Sequence, residues 1–410
     1  MVIREATVAT SATDDSTEAA RKSLSWLPVL LLLVLLPLCF LGYGSDNDTY
    51  GVLDCGISTW HNHIPRTSRN PGYWTYEALI YPLSTLGGSI LCNLASYLMA
   101  ILVAWRFWKL SLRLGARFPA LLTACLIVTP GFIIAATSTD DYLWSLLLMV
   151  LGTEMIVADR LILAALLSGV AMAIRGGNGP IVGCGFLAAI AYETYTNKRI
   201  TPRAIKIAVS GLVAALMAAA TFYPSYRLAG NSMGFTAAMD GPPELWTPLL
   251  RVGKFFYKGS VAVGPIALLV ILVAAVVYLR ERRKRPAPSF DSKGRELVFL
   301  CLGLLVGNLA LFFRYPIEFY YLIPATFFFL LLGGISIFGF SRRLAVVLLV
   351  SILSFDFVWP IFVRPNIPGR STGAYLHFGL GRGIVLMDTR DRIKVRACHD
   401  SDCFNVRSRQ

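Results

Sequence analysis

Charged residues are scarce in this chain of 410 residues, and histidines are few. Only 15% of the residues are charged and four are histidine, whereas 56% are hydrophobic and the mean hydropathy is +0.62. A soluble domain has about 25% charged residues, so the composition excludes an ordinary soluble domain and predicts a polytopic membrane protein. The sequence also has no GxxxxGK phosphate loop, internal repeat or heptad pattern, and it therefore gives no sign of a nucleotide-phosphate loop, a solenoid or a coiled coil.

The net charge of +14 comes from short basic clusters between apolar runs. In a soluble protein this excess would suggest nucleic acid, but basic loops between apolar runs follow the positive-inside rule. Three such loops lie at residues 106–117, 198–206 and 280–285. We predict that these loops are cytoplasmic and that nucleic acid is not a partner.

Windows of about 20 apolar residues predict an all-α polytopic membrane protein with about eleven transmembrane helices. The predicted spans lie near 27–43, 79–104, 118–136, 143–157, 160–174, 179–192, 207–223, 264–279, 297–313, 320–338 and 344–362. The three short spans between 143 and 192 leave the count open by one or two. With the N-terminus inside, an odd number of spans places the C-terminus outside.

The domain organisation follows from these spans. Residues 1–26 are polar at first and predict a disordered cytoplasmic N-terminus, residues 27–362 form the transmembrane domain, and residues 363–410 form an exterior tail. Alternating runs such as IKVRACHD in the tail predict a small β hairpin. In the exterior segment 224–263, Leu, Trp and Phe are mixed with cations at 251, 254 and 258, which is typical of an interfacial helix.

Two acidic pairs fall on the predicted exterior face. Asp46 and Asp48 follow the first span, and Asp140 and Asp141 precede the fourth. A half-desolvated carboxylate at a membrane surface has a raised pKa and can serve as a general base. The alternative interpretation is that the first pair is merely solvated and that the second pair caps a helix N-terminus.

Arg69, Arg175 and Arg314 fall on the same predicted face. Guanidinium groups bind phosphate through paired N–H donors, so acids and arginines around one wet cavity suit a phosphorylated lipid substrate. Arg175 precedes GGNG, whose open backbone could also meet a phosphate, although the residue could equally cap the fifth span.

The arrangement resembles the integral-membrane glycosyltransferases of the C superfamily (GT-C), such as the protein O-mannosyltransferases and the lipid A aminoarabinose transferase. The resemblance rests on an acidic pair after the first span, SRNPGYWTYEALIYPL (68–83) ending the first exterior loop, an acid opening the second, and a late FRYPIEFYYLIP (313–324). It covers residues 27 to about 362. Trp74 stands where a second proline is common in the turn of such enzymes.

The resemblance implies an inverting glycosyltransferase that moves a hexosyl or pentosyl group from a polyprenyl-phosphate donor to a lipid-linked glycan, polysaccharide or protein. It makes Asp48 or Asp46 the catalytic base, Asp140 or Asp141 the second-loop acid, and Arg69 a ligand of the donor phosphate, a role for which Arg175 and Arg314 are further candidates. The apolar helices near the site would hold the prenyl tail, so membrane lipid is an expected partner.

Other candidate roles stay open at the level of sequence. Glu318 and Tyr321 could line an acceptor pocket, or Glu318 could pair with Arg314 and Tyr321 could belong to an aromatic belt. Asp46, Asp48 and Asp140 could hold a divalent cation such as Mg²⁺ or Mn²⁺ with the donor phosphate, and members of the superfamily differ in their need for metal.

Two features, one in the tail and one in the first loop, predict the cellular compartment of the protein. Cys398 and Cys403 frame CHDSDC, a spacing that suits a disulfide across a tight hairpin in an oxidising compartment, although two idle thiols are the alternative. Asn47-Asp48-Thr49 is a glycosylation sequon whose modification would block the predicted site, which favours a bacterial inner membrane with the site and the C-terminus in the periplasm.

Two rival functions use the same kind of lipid. A transporter or flippase of lipid-linked sugars would also need intramembrane charge, but transporters tend to show broken spans in two matching halves. A polysaccharide polymerase or ligase would favour a large exterior loop late in the chain, whereas the largest loops here are early and central.

Overall fold

The computed structural model describes residues 24–40, 42–43, 47–68, 73–231, 248–281, 290–316, 319–338, 341–357, 359–362 and 374–377. These residues form fourteen α-helices: α1 Leu27–Leu35, α2 Asn47–Gly56, α3 Trp74–Arg113, α4 Pro119–Ile127, α5 Pro130–Thr137, α6 Tyr142–Val157, α7 Leu161–Ile174, α8 Asn178–Asn197, α9 Pro202–Leu228, α10 Pro248–Val263, α11 Pro265–Glu281, α12 Ser292–Arg314, α13 Ile323–Ile335 and α14 Arg342–Phe357. A 3-10 turn, Leu36–Phe40, extends α1, and another, Phe319–Leu322, precedes α13.

The helices fit an integral membrane protein. Among the described residues α3, α9 and α12 are long and apolar enough to cross a membrane alone, and the bent pairs α4–α5 and α10–α11 raise the number to five if each pair is one span. Leu212 and Leu216 of α9 are each 59% exposed, and exposed apolar rows of this kind suit contact with lipid. The predicted all-α membrane class is confirmed at this level, whereas the count of eleven spans is not.

Proline interrupts two of the predicted spans. The predicted span 118–136 consists of α4 and α5, which meet at 68°. Pro130 cannot donate a helical hydrogen bond and holds Thr129 in an extended conformation, with φ −68° and ψ 139°. The last predicted span is shorter than expected, because α14 ends at Phe357 and Pro360 lies in a short strand that follows.

The tightest helix packing joins α8 and α12. A Cβ atom at Gly303 would lie 2.7 Å from the carbonyl oxygen of Cys184, and one at Gly307 would lie 2.8 Å from the Cβ of the same residue. Small residues four positions apart allow such close approach in membrane helices. These two glycines therefore fix α12 against α8, and the C-terminal end of α12 lies beside the functional residues described below.

One end of the bundle brings together residues at or beside several of the predicted exterior segments. Trp74 at the start of α3 donates through Nε1 to Ser225 Oγ near the end of α9, at 2.9 Å. Leu311 of α12 lies 3.9 Å from where a Cβ on Gly177, between α7 and α8, would stand. The chain ends that the topology placed on one face therefore meet in space.

The opposite end is fastened by Arg203, at the start of α9. Its guanidinium donates to Asp159 at 3.1 Å, to Glu193 at 2.9 Å and to Glu296 at 2.7 Å. These carboxylates belong to the α6–α7 turn, to α8 and to α12. A guanidinium presents five donors in a planar fork, so one arginine of a predicted basic loop joins four parts of the bundle.

Two short strands follow α14. Trp359–Phe362 pairs antiparallel with Ala374–His377, so β structure in the C-terminal region begins before the predicted tail. The IKVRACHD run and the predicted disulfide between Cys398 and Cys403 lie outside the described residues.

Replacing Arg203 by alanine should destabilise the protein, because three carboxylates lose their shared cation. Removing one partner of a buried ion pair costs on the order of 3 kcal/mol, and the Arg203 side chain is only 25% exposed. The thermal unfolding midpoint of the detergent-purified variant should fall. Arg199→Ala, an exposed cation of the same loop, is the control and should leave it unchanged; equal midpoints for the two variants would contradict the assignment.

Candidate functional site

Thr139 lies at the end of the bundle where predicted exterior segments meet, and three of its polar groups form hydrogen bonds. Its backbone N–H donates to the Tyr43 carbonyl at 3.1 Å, its hydroxyl donates to Asn93 Oδ1 at 2.9 Å, and its carbonyl accepts from the Thr49 hydroxyl at 2.9 Å. Thr139, Asn93 and Thr49 are all buried. The turn between α5 and α6 is therefore tied to the end of the first span, to α2 and to α3.

Asn93 completes this network from the middle of α3. Its side-chain amide donates to the carbonyl oxygens of Cys39 at 2.8 Å and Gly42 at 2.7 Å. The side chain is fully buried, and a buried amide is costly unless its donors and acceptor are used. Sequence analysis missed Asn93, although a lone asparagine inside an apolar span is a signal that could have found it.

The network brings the two predicted acidic segments together. Asp48 directly precedes Thr49 in α2, and Asp140 directly follows Thr139. Each acid is therefore one residue from the 2.9 Å hydrogen bond that joins Thr49 to Thr139. Of Asp48 the structure describes the backbone alone, and Asp46 lies outside the described residues.

Asp141 and Arg175 form a buried ion pair. Arg175 Nη1 donates to Asp141 Oδ1 at 2.5 Å, and the Asp141 side chain is 1% exposed. The pair joins the start of α6 to the end of α7. Asp141 occupies the N-cap position of α6 but makes no capping hydrogen bond, so the helix-cap interpretation does not describe its side chain.

Two tyrosines enclose the guanidinium of Arg175. Its Cζ lies 3.7 Å from the ring centroid of Tyr142 and 4.9 Å from that of Tyr321. Burial alone lowers the pKa of Arg175, but the Asp141 carboxylate more than offsets this effect and the net pKa lies well above its ordinary value. Arg175 therefore stays charged, and Tyr321 contacts it directly.

The other predicted residues occupy varied positions. Asp140 is buried and accepts from the Ser138 hydroxyl at 3.1 Å. Arg314 ends α12, is exposed, and lies over the Tyr315 ring at 4.7 Å. Arg69 and Glu318 lie outside the described residues.

The run SRNPGYWTYE folds back on the first loop through Glu77. The Glu77 carboxylate, 1% exposed, accepts from the Ser68 hydroxyl, from the Ser68 N–H at 3.3 Å and from Cys55 Sγ at 3.0 Å. The first loop is thereby tied to the start of α3 at two points, Cys55 and Ser68. This acid, which sequence analysis did not single out, is a structural anchor of the loop.

Cys55 is the second member of this anchor. Its Sγ also lies 2.9 Å from the Arg66 carbonyl oxygen, so the single thiol hydrogen has two acceptors within reach. Burial, together with the Glu77 carboxylate, raises the pKa of Cys55 to about 12. A thiol with so high a pKa is protonated at neutral pH and is a poor nucleophile, so Cys55 serves as a hydrogen-bond donor.

Within the described residues no cluster of three or more His, Cys, Asp or Glu side chains could hold a metal ion. Asp46 and the Asp48 side chain, which with Asp140 form the predicted cation site, lie outside that part of the chain. The described cysteines are all free thiols. Removal of divalent cations with EDTA is therefore the test of whether the site holds one.

No protein-family model matches the chain, and no curated protein or solved structure is significantly similar to it. The class supported by the structure is therefore an all-α membrane protein with a buried polar site at one end of its helices.

The ion pair predicts coupling between Asp141 and Arg175. Either Asp141→Asn or Arg175→Gln leaves a buried charge without its partner and should cost on the order of 3 kcal/mol. Both changes together should cost clearly less than the sum of the single changes. Unfolding free energies from a four-member double-mutant cycle test this expectation, and additive losses would exclude a direct pair.

The Cys55 anchor predicts an unusual pH profile. The rate of Cys55 modification by a small thiosulfonate, followed on its peptide by mass spectrometry, should keep rising towards a midpoint near pH 12. Glu77→Gln should lower that midpoint, because the nearby negative charge that disfavours the thiolate is removed. A wild-type midpoint at the ordinary thiol pKa of about 8.5 would contradict the geometry.

Proposed function

We propose that the protein is an inverting glycosyltransferase that takes a sugar from a polyprenyl-phosphate donor and transfers it to a hydroxyl of a lipid-linked glycan, polysaccharide or protein. The observation that carries the proposal is the hydrogen bond from Thr49 to Thr139. It joins the acid-bearing start of the first exterior loop to the acid-bearing start of the second, which is the arrangement that the resemblance to the GT-C enzymes implies.

The reaction requires a base, a positioned donor and a stabilised leaving group. The base removes the proton of the acceptor hydroxyl, the oxygen attacks the anomeric carbon, and the bond from that carbon to the phosphate oxygen breaks with its electrons on polyprenyl phosphate. A single displacement inverts the anomeric centre. Arginines stabilise the phosphate charge as it leaves.

The ion pair narrows the choice of the second-loop acid. Asp141 is bound to Arg175 and almost fully buried, so its negative charge is already neutralised. The proposal therefore takes Asp140 as the second-loop acid and keeps Asp48 or Asp46 of the first loop as the base. Arg175 holds Asp141 and Tyr321 in place.

The proposal then gives the phosphate role to Arg314 and Arg69. Arg314 is exposed at the end of α12, and Arg69 follows Ser68, which Glu77 holds against α3. The ring centroids of Tyr320 and Tyr142 lie 5.5 Å apart, and Tyr320 is only half-buried. We propose that the acceptor hydroxyl binds beside Tyr320 and Tyr321. A prenyl chain would run along the exposed apolar faces of the helices.

The proposal includes the finer topology: about eleven spans, the site on the periplasmic side of a bacterial inner membrane, and the C-terminus on the same side. Its support is that the chain ends predicted to be exterior meet at one end, whereas Arg203, from a predicted cytoplasmic loop, lies at the other.

The test is donor cleavage by protein in nanodiscs. A panel of polyprenyl-phosphate sugars is supplied with and without EDTA, and free polyprenyl phosphate is measured by mass spectrometry. Asp48→Asn or Asp46→Asn should lower release about 100-fold or more, the usual loss when a general base is removed. Loss of release in EDTA would show that a divalent cation takes part.

Asp54→Asn is the matched control, because Asp54 lies on the same helix α2 but is exposed and paired with Arg66 at 3.0 Å. It should retain wild-type release. Full release in the Asp46 and Asp48 double variant would remove the proposed base. Donor that crosses a proteoliposome bilayer without cleavage would identify a transporter instead.

A further inference from the structure

Helix α10 has an apolar face that is exposed. Leu249 is 83% exposed, Phe256 is 57% exposed and Tyr257 is 59% exposed, and Val252 lies on the same side. These positions are spaced three, four, seven and eight residues apart, which places them on one face of a helix. In a soluble protein this face would be the buried one.

The opposite face of α10 carries its cations and turns towards the protein. Arg251, Lys254 and Lys258 are half-buried and share this side with Val261 and Ala262, which are buried. A surface helix of a soluble protein exposes its charged side and buries its apolar side. Helix α10 has the reverse arrangement, because its charged side is partly covered by protein and its apolar side is exposed. Leu249 and Phe256 therefore require an apolar environment outside the protein.

The orientation of α10 points to a lipid surface. It meets α11 at 102°, with Gly264 at φ +87° between them, a backbone conformation that favours glycine. Helix α11 exposes Ile266, Leu269 and Val273, so exposed apolar residues run from α10 into the helix with which it forms a bent apolar pair. If α11 crosses the bilayer, α10 lies nearly in its plane.

The inner side of α10 packs on elements of the candidate site. Phe255 lies 5.7 Å from Phe312 of α12 between ring centroids. Val261 and Ala262 share a buried cluster with Phe319 and Leu322, the ends of the 3-10 turn that contains Tyr320 and Tyr321. The position of α10 therefore bears on the turn that contacts Arg175.

We propose that α10 is a membrane-surface helix whose Leu249, Val252, Phe256 and Tyr257 side chains insert into the acyl chains of a phospholipid leaflet. The helix thereby fixes the Phe319–Leu322 turn at the depth of the lipid headgroups. The occupant of the apolar face is the lipid leaflet, since α11, the next helix of the same bent apolar pair, also exposes apolar residues. This inference stands independently of the proposed reaction.

The experiment measures depth with spin labels on protein in phospholipid nanodiscs. A label at Phe256→Cys is compared with Leu216→Cys, on the exposed face of α9, and with Arg66→Cys, an exposed loop residue with a 59% exposed side chain. The background protein has Cys398 and Cys403 replaced by serine. Collision rates with oxygen, which enriches in lipid, and with a water-soluble nickel chelate are measured by electron paramagnetic resonance.

The expected ratio of oxygen to nickel collisions at Phe256 is several-fold above that at Arg66 and approaches that at Leu216. A label at Lys258→Cys, on the opposite face of the same helix, should give a lower ratio than the label at Phe256. A water-like ratio at Phe256 would overturn the proposal. So would an immobile label there that neither reagent reaches, because a protein surface would then cover the face.

Discussion

The hydrogen bonds of Thr139 hold one end of the helix bundle together. In a dry helical core each buried polar group needs a partner, and Thr139 supplies one each to Tyr43, Asn93 and Thr49. Because these partners come from three separate segments, none of them can shift alone without leaving a polar group unsatisfied. The distance between the two acidic loops follows from this constraint.

The ion pair of Asp141 and Arg175 adds charge to this frame. It lies two residues beyond Thr139 and links the frame to α7, while Tyr321 packs on the same guanidinium. Arg203 plays the corresponding part at the far end with three carboxylates. Each end of the bundle is therefore held by one arginine, and Arg175 differs from Arg203 in that two tyrosine rings, those of Tyr142 and Tyr321, also lie against its guanidinium.

Much of this organisation could be predicted from apolar runs and basic loops. Each predicted span contains or overlaps a helix. The order of the spans alone predicts that the segments around Asp141, Arg175 and Tyr321 lie on one face. Hydropathy and charge suffice for this because they report which residues can face lipid and which side of a membrane a loop prefers.

The partners of individual side chains could not be predicted. Asn93, Glu77 and Arg203 lie far in sequence from the groups they bind, and a single sequence contains no information on such pairs. The lone asparagine in an apolar span was the one visible signal. The break at Pro130 could also be predicted from the sequence, whereas the 68° angle between α4 and α5 depends on how α4 packs.

The most direct test of the account is a cryo-electron microscopy map with a bound non-hydrolysable polyprenyl-phosphate sugar. The account predicts sugar density beside the start of α2 and phosphate density beside Arg314. Density at the Arg203 end, or along a path through the bundle, would contradict it.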